Sequence, residues 1–212
     1  MASYRLHCFA QSGHSYKAAL MLNLCAADWE PVFVDFFNGA ARTDEFRAIN
    51  AMGESPILET PDVGTLTQSG VILDYLSGTF GKFGPASERE RLEILRWVIW
   101  ENQKLNGMMG PWRFMLQFAP EKVRNEAVTA FFKGRSLASL EVLDKHLAGR
   151  EWMVGDAPTT ADVACAGYIY YPREEYDFGD VNYPNIEAWK DRLAALTGWE
   201  HPYKLMPGYP LS

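Results

Sequence analysis

The sequence predicts an α/β unit of about 80 residues followed by an all-helical region, a two-part α/β plus all-α chain. Three observations carry that expectation. Up to Leu76, short strand-like runs alternate with apolar residues at helical spacing, in the order strand, helix, strand, helix, hairpin, helix. The stretch Gly78-Thr-Phe-Gly-Lys-Phe-Gly-Pro85 then concentrates glycine and ends on proline, the composition of a linker. Beyond it, apolar residues recur only at helical spacing. The expected boundaries are 1–78 for the first domain, 79–87 for the linker and 88–212 for the helical domain.

Taken in order, Tyr4 to Phe9 alternates, with Tyr4, Leu6 and Cys8 on one face of a strand. Ala10-Gln11-Ser12-Gly13-His14 is a polar turn, and Ala18, Met21, Leu22 and Cys25 then mark a helix ending near Ala26. Pro31 to Phe36 reads as a second strand. Thr43 caps a short helix whose first turn carries Asp44 and Glu45, where negative charge is favoured. Ile57-Leu58-Glu59 and Thr65-Leu66-Thr67 flank the turn formers Pro61-Asp62-Val63-Gly64, so they pair as a hairpin. After Gln68 and Ser69 come Val71, Ile72, Tyr75 and Leu76 at helical spacing, which puts Ser69 at the N-cap. The unpaired N–H groups of that helix start suit an anion such as a carboxylate, and an ordinary capped helix has the same pattern.

In the second part, Ser87 with Glu88 and Glu90 starts a helix continuing through Leu105. Val123 to Phe132 and Leu137 to Leu147 read as two further helices, the second closed by Gly149. In Val154-Gly-Asp-Ala-Pro-Thr-Thr-Ala-Asp-Val163, Thr159 and Asp162 have the spacing of a reciprocal capping box, with Pro158 and Val163 at the staple positions.

At 212 residues there is material for one large domain or two small ones, and 48% hydrophobic with 22% charged residues is a globular composition. A net charge of −7 argues against nucleic acid or an anionic membrane as partner, while leaving room for an anionic ligand in a local positive pocket. No apolar run approaches the roughly 20 residues of a membrane span, and Met-Ala-Ser-Tyr-Arg lacks a signal-peptide core. Cys8, Cys25 and Cys165 are scattered, without Cys-x-x-Cys, so neither a disulfide framework nor a metal site is expected. A reducing cytoplasm is the expected location.

The step Ser55-Pro56-Ile57, the hairpin, and Gln68-Ser69-x-x-Ile72-x-x-Tyr75-Leu76 together resemble the glutathione-binding half of the cytosolic glutathione S-transferases. The resemblance implies a thioredoxin-like first domain and an all-helical second one. It also implies a cis proline at Pro56, with the Ser55 backbone holding the cysteinyl part of glutathione. Gln68 and Ser69 would then hold the γ-glutamyl carboxylate. The family more often has valine before the proline; a backbone contact tolerates Ser55. Gln11-Ser12-Gly13-His14-Ser15-Tyr16-Lys17 is similar to the family's serine-type catalytic turn, which puts thiol activation on Ser12. Ser15, three residues on, is a rival donor. The physics behind either is that the thiolate is the nucleophile and a free thiol has a pKa of about 8.5. A hydroxyl donating to sulfur at the positive end of a helix favours the charged form.

His14 stands where the family often has asparagine; it could donate a hydrogen bond, but the expectation for an isolated histidine is a solvated turn residue. Arg42 lies where the family often places a base for the glycyl carboxylate, and reads equally as a surface arginine. Cys8 and Cys25 fall in apolar patterns as buried core. Thr159-x-x-Asp162 resembles the helix-start motif of the family's helical domain, a folding element, and Tyr183-Pro-Asn-Ile-Glu-Ala-Trp-Lys its late helix. The second substrate is expected between the domains, on the early helices of the second. There Met108, Met109, Trp112, Phe114 and Met115 cluster, with Met108 and Trp112 as its candidates; the same stripe also reads as core or subunit interface.

The resemblance covers essentially the whole chain. It implies conjugation of a glutathione thiolate, glutathione being the co-substrate, to a small apolar electrophile by a homodimer that needs no metal. A glutathione-dependent disulfide or peroxide reductase and a non-catalytic glutathione-binding regulator are the alternatives on the same scaffold.

Overall fold

The computed structural model describes residues 2–211. They fold as two compact units: the chain as far as Gly84 with the segment from Leu196 onward, and Pro85–Ala195.

The first unit is built from β1 (Tyr4–Cys8), α1 (Gly13–Leu24), β2 (Trp29–Phe33), α2 (Asp44–Ile49), β3 (Ile57–Thr60), β4 (Gly64–Thr67) and α3 (Ser69–Phe80). Its sheet has the order β2-β1-β3-β4, with β1 and β2 parallel and β3 antiparallel to both of its neighbours. Helix α1 is the crossover that a parallel pair requires. Alternation along β1 buries Leu6 and Cys8, while Arg5 stays exposed and bridges Glu30 of β2 and Glu59 of β3. Thr43 caps α2 as expected, accepting from the Phe46 N–H. In the hairpin, Thr60 Oγ1 donates to the Gly64 carbonyl at 2.8 Å and accepts from the Val63 N–H at 3.1 Å.

Strand β2 runs from Trp29 to Phe33, not from Pro31 to Phe36. Phe36 leaves the strand because its ring packs on Phe9, as does that of the neighbouring Phe37, with centroids 4.7 and 5.9 Å away. Helix α3 continues to Phe80, past the expected boundary at 78, and ends where Gly81 turns left-handed at φ 62°.

The second unit contains α4 (Glu88–Trp100), α5 (Asn106–Gln117), α6 (Glu126–Leu147), α7 (Thr160–Cys165) and α8 (Pro184–Ala194). Ser87 caps α4, and a π turn over Glu101–Leu105 joins it to α5. The two helices expected between Val123 and Leu147 are one, α6, with Gly134 inside it. A glycine costs a helix about 1 kcal/mol, less than breaking and renucleating it. The stripe Ser136, Ser139, Leu140, Leu143 and Leu147 is buried along its length. The Thr159–Asp162 capping box forms. The fully buried Asp162 carboxylate accepts from the Thr159 and Met153 N–H groups, from Thr159 Oγ1 and from Trp189 Nε1, all at 2.8–3.1 Å. Burial pushes its pKa up, and those donors oppose the rise.

The chain then closes with α9 (Pro202–Leu205), which packs against α1. The helical domain expected over 88–212 therefore ends earlier, because the last segment is bonded to the first unit. Tyr16 Oη donates to the Glu200 carbonyl at 2.9 Å, and the Ala10 N–H to the Pro207 carbonyl at 2.7 Å. A Cβ at Gly198 (φ +94°) would stand 2.6 Å from the Asn23 carbonyl, so glycine is what lets the segment close on the end of α1. No helix among the described residues is long and apolar enough to cross a membrane.

Candidate active site

The turn between β1 and α1 puts Ser12 at the N-cap of α1, with extended backbone (φ −90°, ψ 108°). Its Oγ accepts from the Ser15 N–H at 3.1 Å. A cap oxygen has one lone pair spent this way and keeps its own proton to donate. The site lies at the positive end of a twelve-residue helix. Ser15, one turn in, is fully buried, and its Oγ lies 3.0 Å from Ser55 Oγ. Ser55 Oγ in turn donates to the His7 carbonyl at 2.9 Å. The Ser55–Pro56 peptide is cis. The structure thus brings Ser12, Ser15 and Ser55 into one hydrogen-bonded group.

Gln68 occupies the cap position of α3 at φ 67°, ψ 115°, and Ser69 is the first helical residue. The expectation of Ser69 as N-cap is corrected by one residue. The turn is made by Gln68, whose carbonyl accepts the first helical bond, from the Ile72 N–H at 3.1 Å. No side chain caps this end, so its first N–H groups stay available to an anion. A non-glycine residue in this conformation carries strain of about 1–3 kcal/mol, a feature concentrated at ligand sites. Gln68 Nε2 donates to Glu54 Oε2 and to Met52 Sδ, each at 3.0 Å, tying it to the residue preceding Ser55. Arg42 ends a 3₁₀ turn over Ala40–Arg42 and is exposed. That turn packs on the loop before Ser55: a Cβ at Gly53 would meet the Ala41 carbonyl at 2.9 Å.

His14 is half-buried in the first turn of α1, not solvated as expected, because the helix starts one residue before it. Burial, with the Lys17 charge, holds its pKa well below 6.5, so the ring is neutral at pH 7. Cys8, Cys25 and Cys165 are buried and form no disulfide, and burial pushes the Cys8 thiol up to about 12. Cys8 is therefore a neutral thiol at neutral pH. In the second unit, Met108 is half-buried on α5, and Trp112 is fully enclosed, its ring 5.1 Å from Tyr176 and 5.2 Å from Phe178.

Three contributors have no signal in the local sequence pattern. Gln11 Nε2 donates to the Gly208 carbonyl at 2.6 Å, across 197 positions, and pins the Ser12 turn to the chain's last segment. His7 Nε2 lies 2.6 Å from Glu59 Oε1, joining β1 to β3 beneath Ser55. Glu54 orients Gln68.

Residues 11–79 match the glutathione S-transferase N-terminal domain, and residues 108–197 the glutathione S-transferase C-terminal domain. A maleylacetoacetate isomerase of Rhizobium meliloti (strain 1021) is 30% identical over 210 residues, 95% of this chain and 97% of its own. The disulfide-bond oxidoreductase YfcG of Escherichia coli (strain K12) is 27% identical over 192 residues, 87% of each chain. The crystal structure of a possible glutathione S-transferase from Rhodopseudomonas palustris superposes with a TM-score of 0.86 at 30% identity, over 95% of this chain and 98% of that one. With both domains matched in order and a 30% identical relative aligned nearly end to end, the chain belongs to the glutathione S-transferase family.

Proposed function

We propose that this protein binds glutathione at the Ser12 turn, ionises its thiol there, and transfers the sulfur to a small apolar electrophile. The observation that carries the reading is Ser12 itself: a hydroxyl at the N-cap of α1 whose own proton no described residue accepts. Donated to a sulfur, that proton stabilises the thiolate, and the helix end adds to it. A thiol pKa lowered by about two units corresponds to roughly 2.7 kcal/mol and leaves most of the bound thiol ionised at pH 7. The thiol proton leaves to solvent. Sulfur then forms a bond to the electrophilic carbon, and the leaving group departs with its bonding pair.

In this reading the Ser55 backbone beside Pro56 holds the cysteinyl group, Gln68 and Ser69 the γ-glutamyl carboxylate, and Arg42 the glycyl carboxylate. The uncapped, strained start of α3 supports the second assignment. Met108 belongs to the electrophile surface, and the enclosed Trp112 backs α5 from the interior of its unit. The protein acts as a homodimer: α4 leaves Leu92, Leu95 and Ile99 exposed on one face, an apolar stripe suited to a second copy. Three buried cysteines outside any disulfide support a reducing cytoplasm.

The likeness to a disulfide-bond oxidoreductase favours one second reading, in which the same thiolate attacks a disulfide sulfur. The deciding experiment follows thiolate absorbance of bound glutathione against pH in the native protein and in Ser12→Ala, then compares turnover on an aryl halide and on a mixed disulfide. A depressed native pKa that returns towards the free value in Ser12→Ala upholds activation at Ser12. A native titration at the free value sinks the enzyme reading, and turnover confined to the disulfide replaces conjugation with reduction.

A further inference from the structure

The hydrogen bonds around Ser15 have a fixed direction. A carbonyl only accepts, so the contact of 2.9 Å between Ser55 Oγ and the His7 carbonyl uses the Ser55 proton. Ser55 Oγ can then meet Ser15 Oγ, 3.0 Å away, only as acceptor, and the Ser15 proton is the one shared. The terminal acceptor is held in place by the sheet. His7 pairs with Val32 on one side and Ile57 on the other, and its ring bonds Glu59 at 2.6 Å. Ser15 is fully buried, so water does not compete for its proton. Ser12 Oγ stands outside this relay: it accepts from the Ser15 N–H, and its proton has no acceptor among the described residues.

From this asymmetry we infer that the Ser55 side chain is a positioning residue that selects the activating hydroxyl. By taking the Ser15 proton, it leaves Ser12 as the one serine able to donate to a bound thiol. The inference rests on glutathione binding at this turn, and it assigns the Ser55 hydroxyl a role separate from its backbone. No covalent step is involved; the Ser55 side chain never touches the reacting sulfur. Without the Ser55 hydroxyl, Ser15 loses its acceptor, and its proton turns to the next one available, the thiolate.

The test is the pH titration of bound glutathione, read as thiolate absorbance, in six proteins: native, Ser12→Ala, Ser55→Ala, the double variant Ser12→Ala/Ser55→Ala, that double variant with Ser15→Ala added, and Ser12→Ala/Ser55→Thr. Ser12→Ala is expected to titrate near the free thiol. The Ala/Ala double variant is expected to regain a pKa at least about one unit lower, a roughly tenfold gain in thiolate fraction below the pKa. The Thr variant keeps the lock and should titrate like Ser12→Ala, which separates loss of the hydroxyl from disturbance of the loop. Adding Ser15→Ala to the Ala/Ala variant should abolish the gain. A depressed native pKa with an Ala/Ala variant that titrates like Ser12→Ala overturns the Ser55 assignment and leaves activation at Ser12 intact. A native pKa at the free value overturns both. If Ser55→Ala does not fold, the Thr variant still decides: a depressed pKa in Ser12→Ala/Ser55→Thr contradicts the lock.

Discussion

At the scale of single residues, the site is a problem in proton accounting. Ser12 and Ser15 are the same chemical group three positions apart, and neither spacing nor composition separates them. An acceptor does: Ser15 meets Ser55, the residue before Pro56, which is itself bonded to the His7 carbonyl of β1, while among the described residues Ser12 Oγ only accepts, from the Ser15 N–H. The same logic governs Glu59 beneath them. The His7 ring foremost, and then the Arg5 guanidinium, hold its carboxyl below its ordinary pKa. A carboxyl with a folded pKa below its unfolded one stabilises the fold above the unfolded value, about 4.3, and loses that contribution as pH falls through the folded value. Glu59→Gln is therefore expected to be less stable than the native protein at neutral pH, with the gap closing below about pH 4. Denaturant midpoints measured across pH check this; a gap of constant size would show that ionised Glu59 contributes nothing.

Among the elements, those with strong local punctuation were legible. Thr43 with Asp44 and Glu45, Ser87 with Glu90, and Thr159 with Asp162 each mark a helix start that the structure contains, because a cap is chemistry within four residues. Where the deciding contact is distant, the pattern misleads. Phe36 looks like a strand residue until its ring stacks on Phe9. Residues 133–136, Gly134 among them, separate the two expected helices, yet α6 continues through them on the strength of its buried stripe. Gly134 is exposed and a Cβ there meets nothing within 4 Å. Gly134→Ala should therefore raise stability by about 0.5–1 kcal/mol through lower backbone entropy of the unfolded chain. The expected signature is a higher urea midpoint with an unchanged slope. A lower midpoint would mean that this position serves a contact that needs glycine.

Over the whole molecule, the chain's two ends belong to one unit. Carbonyls of Glu200, Pro207 and Gly208 bond Tyr16, Ala10 and Gln11, the residues on either side of Ser12, so the Ser12 turn is held by a segment almost 200 positions away. The proposed homodimer belongs to this scale as well. Leu92, Leu95 and Ile99 are 52%, 45% and 60% exposed on α4, and a charge on that face opposes apolar contact with a second copy. Sedimentation is expected at twice the chain mass for the native protein, and at the single-chain mass for Leu95→Glu/Ile99→Glu with its helical circular dichroism kept. A native protein that sediments as one chain removes the homodimer.

By itself the sequence determined what short-range physics can write: the order of strands and helices, the capped helix starts, the hairpin, and the run of residues that resembles a glutathione site. Tertiary structure decided which serine hydroxyl finds an acceptor, where the helical unit ends, and which groups hold the turn. Local propensity acts over a few positions, whereas the partners that settle those questions lie far along the chain. His7 and Glu59 are 52 positions apart and Gln11 and Gly208 are 197 apart, and a hydrogen bond exists only once the fold has brought both ends together.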